Sequence, residues 1–152
     1  MFGRAARDLV PNTVPRGYLR DDEHLYSGMV DGELVDIFPI EITEEVLAHG
    51  QEQYDIFCAP CHSFIGDGEG VIVQRGFPQP PSFHTERLRQ VPVGYIYQVI
   101  TEGIGHMYSY ADRVAPLDRW AIAAYIRALQ LSQNATLDDV PPQERQRLEI
   151  DD

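Results

Sequence analysis

The segment Cys58-Ala59-Pro60-Cys61-His62 constrains this chain more than any other feature of its sequence. The spacing C-x-x-C-H is the attachment motif of a c-type haem, in which two cysteine sulfurs form thioethers with the porphyrin and the next histidine ligates the iron. Cys58 and Cys61 are therefore candidates for covalent attachment, and His62 is a candidate axial ligand. We expect a chain with this motif to fold around the haem, which then supplies much of its apolar core.

Two other chemistries use part of the same spacing. A C-x-x-C pair also occurs in thioredoxin-like redox sites and in zinc sites. The chain has only two cysteines, which excludes a four-sulfur zinc site but leaves a mixed site with His62 and a second histidine open. A redox pair is disfavoured because no strand–helix–strand pattern surrounds the motif. Haem attachment is the favoured interpretation.

The composition limits the partners and the compartment. The chain has 24 acidic and 12 basic residues, a formal net charge of −12, and every basic residue is arginine. We expect no nucleic-acid partner, because such binding depends on cationic contacts with phosphates. No apolar run approaches the roughly 20 residues of a transmembrane helix. Haem is attached outside the cytoplasm, so we expect an extracytoplasmic protein whose export signal or anchor lies outside this numbering.

Three segments of the chain differ in character. Residues 1–42 contain scattered prolines and glycines, which predicts an extended N-terminal arm. Residues 43–131 contain the periodic apolar positions of a domain core, and residues 132–152 form an acidic C-terminal tail. The arm is either a solvated leader or a segment that lies on a partner subunit. In the second case it would bury the following apolar side chains there: Tyr18, Leu19, Leu25, Tyr26, Ile37 and Phe38.

Helical periodicity within the middle segment predicts a mainly α domain with three core helices. The first covers about 44–57, with Thr43 as its N-cap. The second covers 93–102 and the third about 116–130. Glycine within a helix costs about 1 kcal/mol relative to alanine, so Gly50 in the first helix predicts that another helix crosses closely at that position.

A haem iron that only carries electrons needs a sixth ligand. Met107 is the favoured candidate because it lies in a glycine-bordered loop 45 residues after His62. A thioether ligand also favours Fe(II) and raises the potential relative to two imidazoles. Met107 could instead pack in the core, and His106 competes with it as a ligand. The remaining histidines are weaker candidates: His84, His49 and His24.

Other side chains are expected to support the haem. Nδ1 of His62 should donate a hydrogen bond to a carbonyl, and we predict that Pro81, or failing that Pro80, provides it. Arg75 could pair with a haem propionate through its guanidinium, although a role as an ordinary surface arginine is equally consistent with its position. Two further donors to a propionate are Arg113 and the N–H of Trp120.

With Cys58, Cys61, His62 and Met107 set between three helices in this order, the segment of about 43–131 resembles the class I cytochromes c. The resemblance implies a class I cytochrome c fold, in which three core helices surround one covalently bound haem c. It also implies the iron ligands His62 and Met107.

Particular positions carry this resemblance. Gly50 and Tyr54 match the glycine and the aromatic residue of the family's N-terminal helix. Tyr125 and Leu129 resemble residues of the C-terminal helix that crosses it. These four positions imply the helix crossing of the family.

The loops carry the resemblance less uniformly. Pro81-Ser82-Phe83 is similar to the family's Pro-x-Leu segment, which implies that Pro81 and Phe83 contact the haem. The family commonly has proline after the axial methionine, where this chain has Tyr108.

The flanking segments resemble a narrower group, the monohaem cytochrome c subunits of alternative complex III, a bacterial membrane quinol oxidoreductase. The similar segments are 14–26, 75–83, 107–111 and 118–130. This resemblance implies an electron-relay subunit, not itself an enzyme, held on the periplasmic side of a membrane complex. Its partners would be the other subunits, including a multihaem cytochrome, and a periplasmic electron acceptor.

Two other functions stay open on the sequence. One is a free soluble or oxidase-associated cytochrome c, although such carriers often dock through a lysine-rich rim and this chain has no lysine. An acidic surface still permits cationic partners. The other is a peroxidase or gas-sensing haem with an open sixth position, which predicts that carbon monoxide binds the reduced protein readily.

Overall fold

The structure, a computed structural model, describes residues 10–14 and 19–148, and within them the chain is mainly helical. The elements in order are α1 (Glu23–Ser27), β1 (Met29–Val30), β2 (Glu33–Leu34), α2 (Glu44–Phe57), α3 (Ala59–His62), α4 (Glu86–Gln90), α5 (Val93–Glu102), α6 (Pro116–Asn134) and α7 (Pro142–Leu148). The predicted bounds of α2 and α5 are confirmed, whereas α6 continues about one turn beyond its predicted end. None of the described helices has the combination of length and apolar character that crossing a membrane requires.

The centre of the domain is the crossing of α2 and α6. Thr43 caps α2, because its side-chain oxygen accepts a hydrogen bond from the N–H of Val46 at 3.3 Å. A Cβ added at Gly50 would lie 2.1 Å from the carbonyl oxygen of Ala121 on α6. The predicted close crossing at Gly50 is therefore confirmed.

The main apolar cluster connects this crossing to the C-x-x-C-H segment. Its buried members come from α2, α3, α5, α6 and the loop before α6: Tyr54, Ala59, Ile100, Val114, Ile122, Ile126 and Leu129. Partly buried side chains pack against them, among them Phe57, Cys58, Phe83 and Tyr110. The first cysteine of the motif thus belongs to the same apolar unit as the helix core.

The described part of the arm packs on this chain's own helices. A second cluster contains Val93, Tyr97, Trp120 and Ala123, with Leu25, Val35, Phe38 and Ile40 of the arm against it. The indole N–H of Trp120 donates to the carbonyl of Leu25 at 2.8 Å. The β1–β2 hairpin is antiparallel, with Met29 opposite Leu34.

The six apolar side chains of the arm therefore have different surroundings. Leu25 and Phe38 pack within the chain, whereas Leu19 and Ile37 are exposed. Tyr26 is half-buried, and its carbonyl accepts a hydrogen bond from the Tyr97 hydroxyl at 3.3 Å. Tyr18 lies outside the described residues. Intramolecular packing thus uses two of the side chains that were expected to contact a partner.

The described part of the tail is exposed from residue 132 to residue 139, and Val140 before α7 is half-buried. Thr136 and Asp139 form a capping box at a 3-10 turn over Leu137–Asp139. Arg145 lies 3.4 Å from the carboxylate of Asp138. These contacts are local, so they order the tail without adding to the domain core.

Gly50→Ala is expected to destabilise the protein. The new methyl group would force the backbones of α2 and α6 apart, and overpacking of this kind costs roughly 1–3 kcal/mol. Helix propensity alone would instead stabilise the variant by about 1 kcal/mol, so the sign of the change decides between the two effects. Urea unfolding of the haem-loaded protein measures the free energy.

The matched control is Ala48→Gly, at an exposed position of the same helix. It should cost about 1 kcal/mol through helix propensity only. A gain in stability for Gly50→Ala would contradict the close crossing.

Candidate haem-binding site

The C-x-x-C-H segment forms a single helical turn directly after α2. Cys58 ends α2 and precedes α3. Its carbonyl accepts hydrogen bonds from the N–H groups of Cys61 at 3.1 Å and His62 at 2.8 Å. Ser63 then ends the turn with a positive φ of 62°. Backbone hydrogen bonds thus place the three motif side chains on one turn at the end of a core helix.

The two cysteines are free thiols in a partly buried setting. Burial, and secondarily the neighbouring Cys61, raises the pKa of the Cys58 thiol to about 12. Reactive redox pairs have lowered thiol pKa values, because the thiolate is the attacking species. The surroundings of Cys58 therefore disfavour a thioredoxin-like pair and suit a thioether, whose sulfur carries no charge.

His62 has the properties of a neutral imidazole ligand. Desolvation lowers the pKa of its ring to about 4, so the ring is neutral at pH 7, the state in which histidine binds metals. The ring stacks on Phe83 with centroids 4.6 Å apart and planes inclined by 12°. The structure therefore brings Phe83 and His62 together, and contact of Phe83 with the haem stays a prediction.

Nδ1 of His62 is buried and has no hydrogen-bond partner among the described residues. A buried polar atom without a partner costs about 1–3 kcal/mol. The stack with Phe83 and the backbone hydrogen bonds of α3 must offset this cost to keep the ring in its position. The predicted bond to the Pro81 or Pro80 carbonyl is not formed in this structure. It stays a prediction for the haem-loaded protein.

Tyr54 holds the chain immediately after the motif. Its side chain is fully buried, and its hydroxyl donates to the carbonyl of Ser63 at 2.7 Å. Burial raises the pKa of this phenol, which keeps it a donor. The sequence placed Tyr54 only in the helix crossing. The available signal was a tyrosine at a core position, since a buried phenol usually needs a hydrogen-bond partner.

A glycine-rich loop folds back over α3. Gly68 donates its N–H to the carbonyl of His62 at 3.0 Å, and Gly70 donates to that of Cys61 at 3.2 Å. A Cβ added at Gly70 would lie 2.3 Å from the Pro60 carbonyl oxygen. These glycines therefore let the loop approach the motif backbone, which no side chain would permit.

Met107 lies in a tight turn between α5 and α6. Its N–H and carbonyl both bond to the backbone of Ile104, each at 2.9 Å. A Cβ added at Gly103 would lie 2.3 Å from the Met107 carbonyl oxygen. The Met107 residue is half-buried, whereas His106 and Tyr108 on either side are exposed. This difference in burial favours Met107 over His106 as the candidate sixth ligand.

The other three histidines each have Nε2 close to an oxygen of another segment. The contacts are His24 with the Ile37 carbonyl at 2.7 Å, His49 with the Asp118 carboxylate at 2.8 Å, and His84 with the Ile65 carbonyl at 2.6 Å. These contacts give the three rings roles in tying segments of the chain together.

The candidate propionate donors differ in availability. Trp120 is fully buried, and its N–H is already donated to the Leu25 carbonyl at 2.8 Å, so this indole is not free to bind a propionate. Arg75, at the end of a 3-10 turn, and Arg113 are both exposed. The two guanidinium groups stay candidates.

Taken together, the residues of this site fit a haem c. Cys58 and Cys61 lie on one turn without a disulfide. The neighbouring imidazole is neutral, and its buried Nδ1 has no partner among the described residues. Phe57 and Tyr110 are among the apolar side chains packed against the same cluster as Cys58. This donor set provides both sulfurs and an imidazole in an apolar environment.

Comparison with known proteins identifies a family and solved structures of similar fold. Residues 45–126, more than half of the chain, match the model of the family described as cytochrome c oxidase, cbb3-type, subunit III. No curated protein sequence matches. A chain of the Kuenenia stuttgartiensis reducing HAO-like protein complex is similar in fold, with a TM-score of 0.53 and 24% sequence identity.

The structural match covers 70% of this chain and 54% of the Kuenenia chain. This chain therefore spans about half the length of that relative. At this identity the likeness shows the fold alone.

Tyr54→Phe is expected to lower the free energy of unfolding by about 1–2 kcal/mol, because it leaves the Ser63 carbonyl without its donor. Thermal or urea unfolding of the haem-loaded protein measures the loss. The control is Tyr125→Phe, whose half-buried ring lies 5.3 Å from that of Tyr54 and whose hydroxyl bonds to the exposed side chain of Gln51 instead. Equal losses in the two variants would show that the hydroxyl bond to Ser63 has no special weight.

Met107→Ala is expected to open the sixth position of the haem iron. The reduced protein should then bind carbon monoxide readily, and its potential should fall because a thioether ligand favours Fe(II). Optical spectra and a redox titration measure both. His106→Ala, at the exposed neighbouring position, is the control and should change neither. An unchanged reduced spectrum and potential in Met107→Ala would rule out this ligand.

Proposed function

The chain belongs to the family described as cytochrome c oxidase, cbb3-type, subunit III, and we propose that it is an electron-transfer subunit with one haem c. Cys58 and Cys61 would attach the haem covalently, and His62 and Met107 would be the axial ligands. The observation that carries this proposal is the single turn that presents both thiols beside a half-buried, neutral imidazole. Haem c, when bound, supplies a one-electron couple between Fe(III) and Fe(II).

The chain's own residues would hold this couple in a fixed environment. The pKa of His62, lowered by burial to about 4, means that protons do not compete for the ring near neutral pH. The stack with Phe83 limits rotation of the imidazole. Tyr54 holds the backbone that leaves the motif. A site that changes little between the two oxidation states favours rapid electron transfer.

We further infer that the subunit works on the periplasmic side of a membrane quinol oxidoreductase like alternative complex III. The support is the resemblance of four flanking segments, together with the lysine-free charge of −12. Its partners would be the other subunits, including a multihaem cytochrome, and a periplasmic acceptor. Leu19 and Ile37 of the arm are exposed apolar side chains that a neighbouring subunit could cover.

A second candidate is an oxidase-associated cytochrome c. The observation that favours it is the family match itself, since the matched description is that of an oxidase subunit. Both candidates assign the same haem and ligands to this chain. They differ in the subunits that accompany it and in the direction of electron flow.

Isolation of the native assembly through a tag on this chain tests the proposal. After mild solubilisation and size separation, we expect iron–sulfur and multihaem subunits with the tagged chain, and reduction of its haem by a quinol. Subunits of a haem–copper oxidase in their place would support the second candidate. Purification of the chain without other haem subunits would contradict both, and Met107→Ala serves as a variant that should assemble but have a lower potential.

A further inference from the structure

A groove of about 490 Å³ lies beside the C-x-x-C-H turn, between the end of α2 and the loop that follows α3. Its lining includes side chains of two kinds, apolar and acidic. They are Phe64, Ile65 and Val71, and Asp55, Asp67 and Glu69.

The apolar side chains of the groove are unusually open to solvent. Phe64 is 68% exposed, Ile65 52% and Val71 46%. Single exposed apolar residues are common, but adjacent large ones in one depression mark a surface that another molecule covers. Phe64 and Ile65 follow His62 almost directly in the sequence, so the groove adjoins the candidate haem site.

The acidic side chains make the groove negatively charged. Asp67 is partly satisfied, since it accepts hydrogen bonds from the Ser63 hydroxyl at 2.5 Å and the Glu69 N–H at 2.9 Å. Oδ1 of Asp55 is buried and has no donor among the described residues. That buried oxygen is out of reach of a docked group, so a cation placed in the groove would pair with the open side of the Asp55 carboxylate, which lines the groove.

None of the residues that line the groove is an arginine or lysine. From Asp21 to Gln74 there are thirteen acidic residues and no arginine or lysine. A complementary occupant must therefore come from elsewhere, and it must combine positive charge with apolar surface. Arginine suits both needs, because its fork pairs with carboxylates and its side chain is enriched in interface cores.

We propose that this groove docks a segment of a neighbouring subunit in which an arginine or lysine is flanked by apolar residues. The cationic group donates to Asp55, and the apolar flanks cover Phe64, Ile65 and Val71. Glu69 and Asp67 add attraction at the rim, which is weakened by salt. This inference rests on the proposed function in requiring an assembly, and it adds the surface and the chemistry of the contact.

Photocrosslinking in the native tagged complex tests the location. A benzophenone amino acid replaces Phe64 in one variant and Leu137, an exposed apolar residue of the tail, in the control. We expect position 64 to crosslink to another subunit at a segment with a cationic residue between apolar ones, and position 137 to miss that segment. The proposal would be overturned if position 64 gave no crosslink, or crosslinked only within this chain or to a second copy of it. A crosslink to a segment without a cationic residue would overturn it as well.

Charge variants test the chemistry. Asp55→Asn should weaken binding of this chain to the rest of the complex roughly tenfold, the usual effect of losing one charged hydrogen bond, and should flatten its salt dependence. Glu52→Gln, an exposed site on the same helix outside the groove, removes the same charge and should change binding less than about twofold. Equal effects, with the haem spectrum unchanged in both, would overturn the role of Asp55.

These outcomes separate the two proposals. If the complex contains this chain with other haem subunits but position 64 does not reach a cationic segment, only the groove assignment fails. If the chain purifies alone, the proposed function and the docking surface fail together.

Discussion

The contact on which most of this structure depends is the approach of the α2 and α6 backbones at Gly50 and Ala121. The absence of a side chain at Gly50 costs helix propensity, and the close packing of two long helices offsets that cost. Because α2 ends at Cys58, the crossing also fixes where the C-x-x-C-H turn begins. Tyr54 lies one turn after Gly50 and reaches the Ser63 carbonyl from the same interface. Core packing and the position of the C-x-x-C-H turn are thus consequences of one contact.

Structural features that depend on residues close together in the chain could be predicted from the sequence. The bounds of α2 and α5 follow from the N-cap Thr43, from the spacing of apolar residues and from Gly103 at the end of α5. Gly50 indicated the crossing because glycine within a helix lowers stability unless close packing requires it. The haem motif is equally local. The end of α6 was less accurate, since no glycine or proline follows Gln130 to stop the helix there.

Partners distant in the sequence could not be predicted. The N–H of Trp120 was one candidate donor to a propionate, but its acceptor is the carbonyl of Leu25, 95 residues earlier. The arm folds back because Leu25 and Phe38 pack against the cluster that contains Trp120 and Tyr97. No periodicity in residues 1–42 predicts that packing. The hydroxyl bond of Tyr54 is a further case. In each, the residue type shows that a partner is needed, and only the fold shows which one.

Charge is divided between the site and the surface of this protein. His62 is neutral because burial lowers its pKa, and burial raises the pKa of the Cys58 thiol, so the apolar cluster holds no net charge from these groups. The carboxylates that give the chain its charge of −12 are, by contrast, mainly at exposed positions, where salt screens them over about 8–10 Å. Long-range attraction to a cationic partner and the electronic properties of the site therefore depend on different residues. Surface charge can then change to suit a partner while the ligand set stays the same.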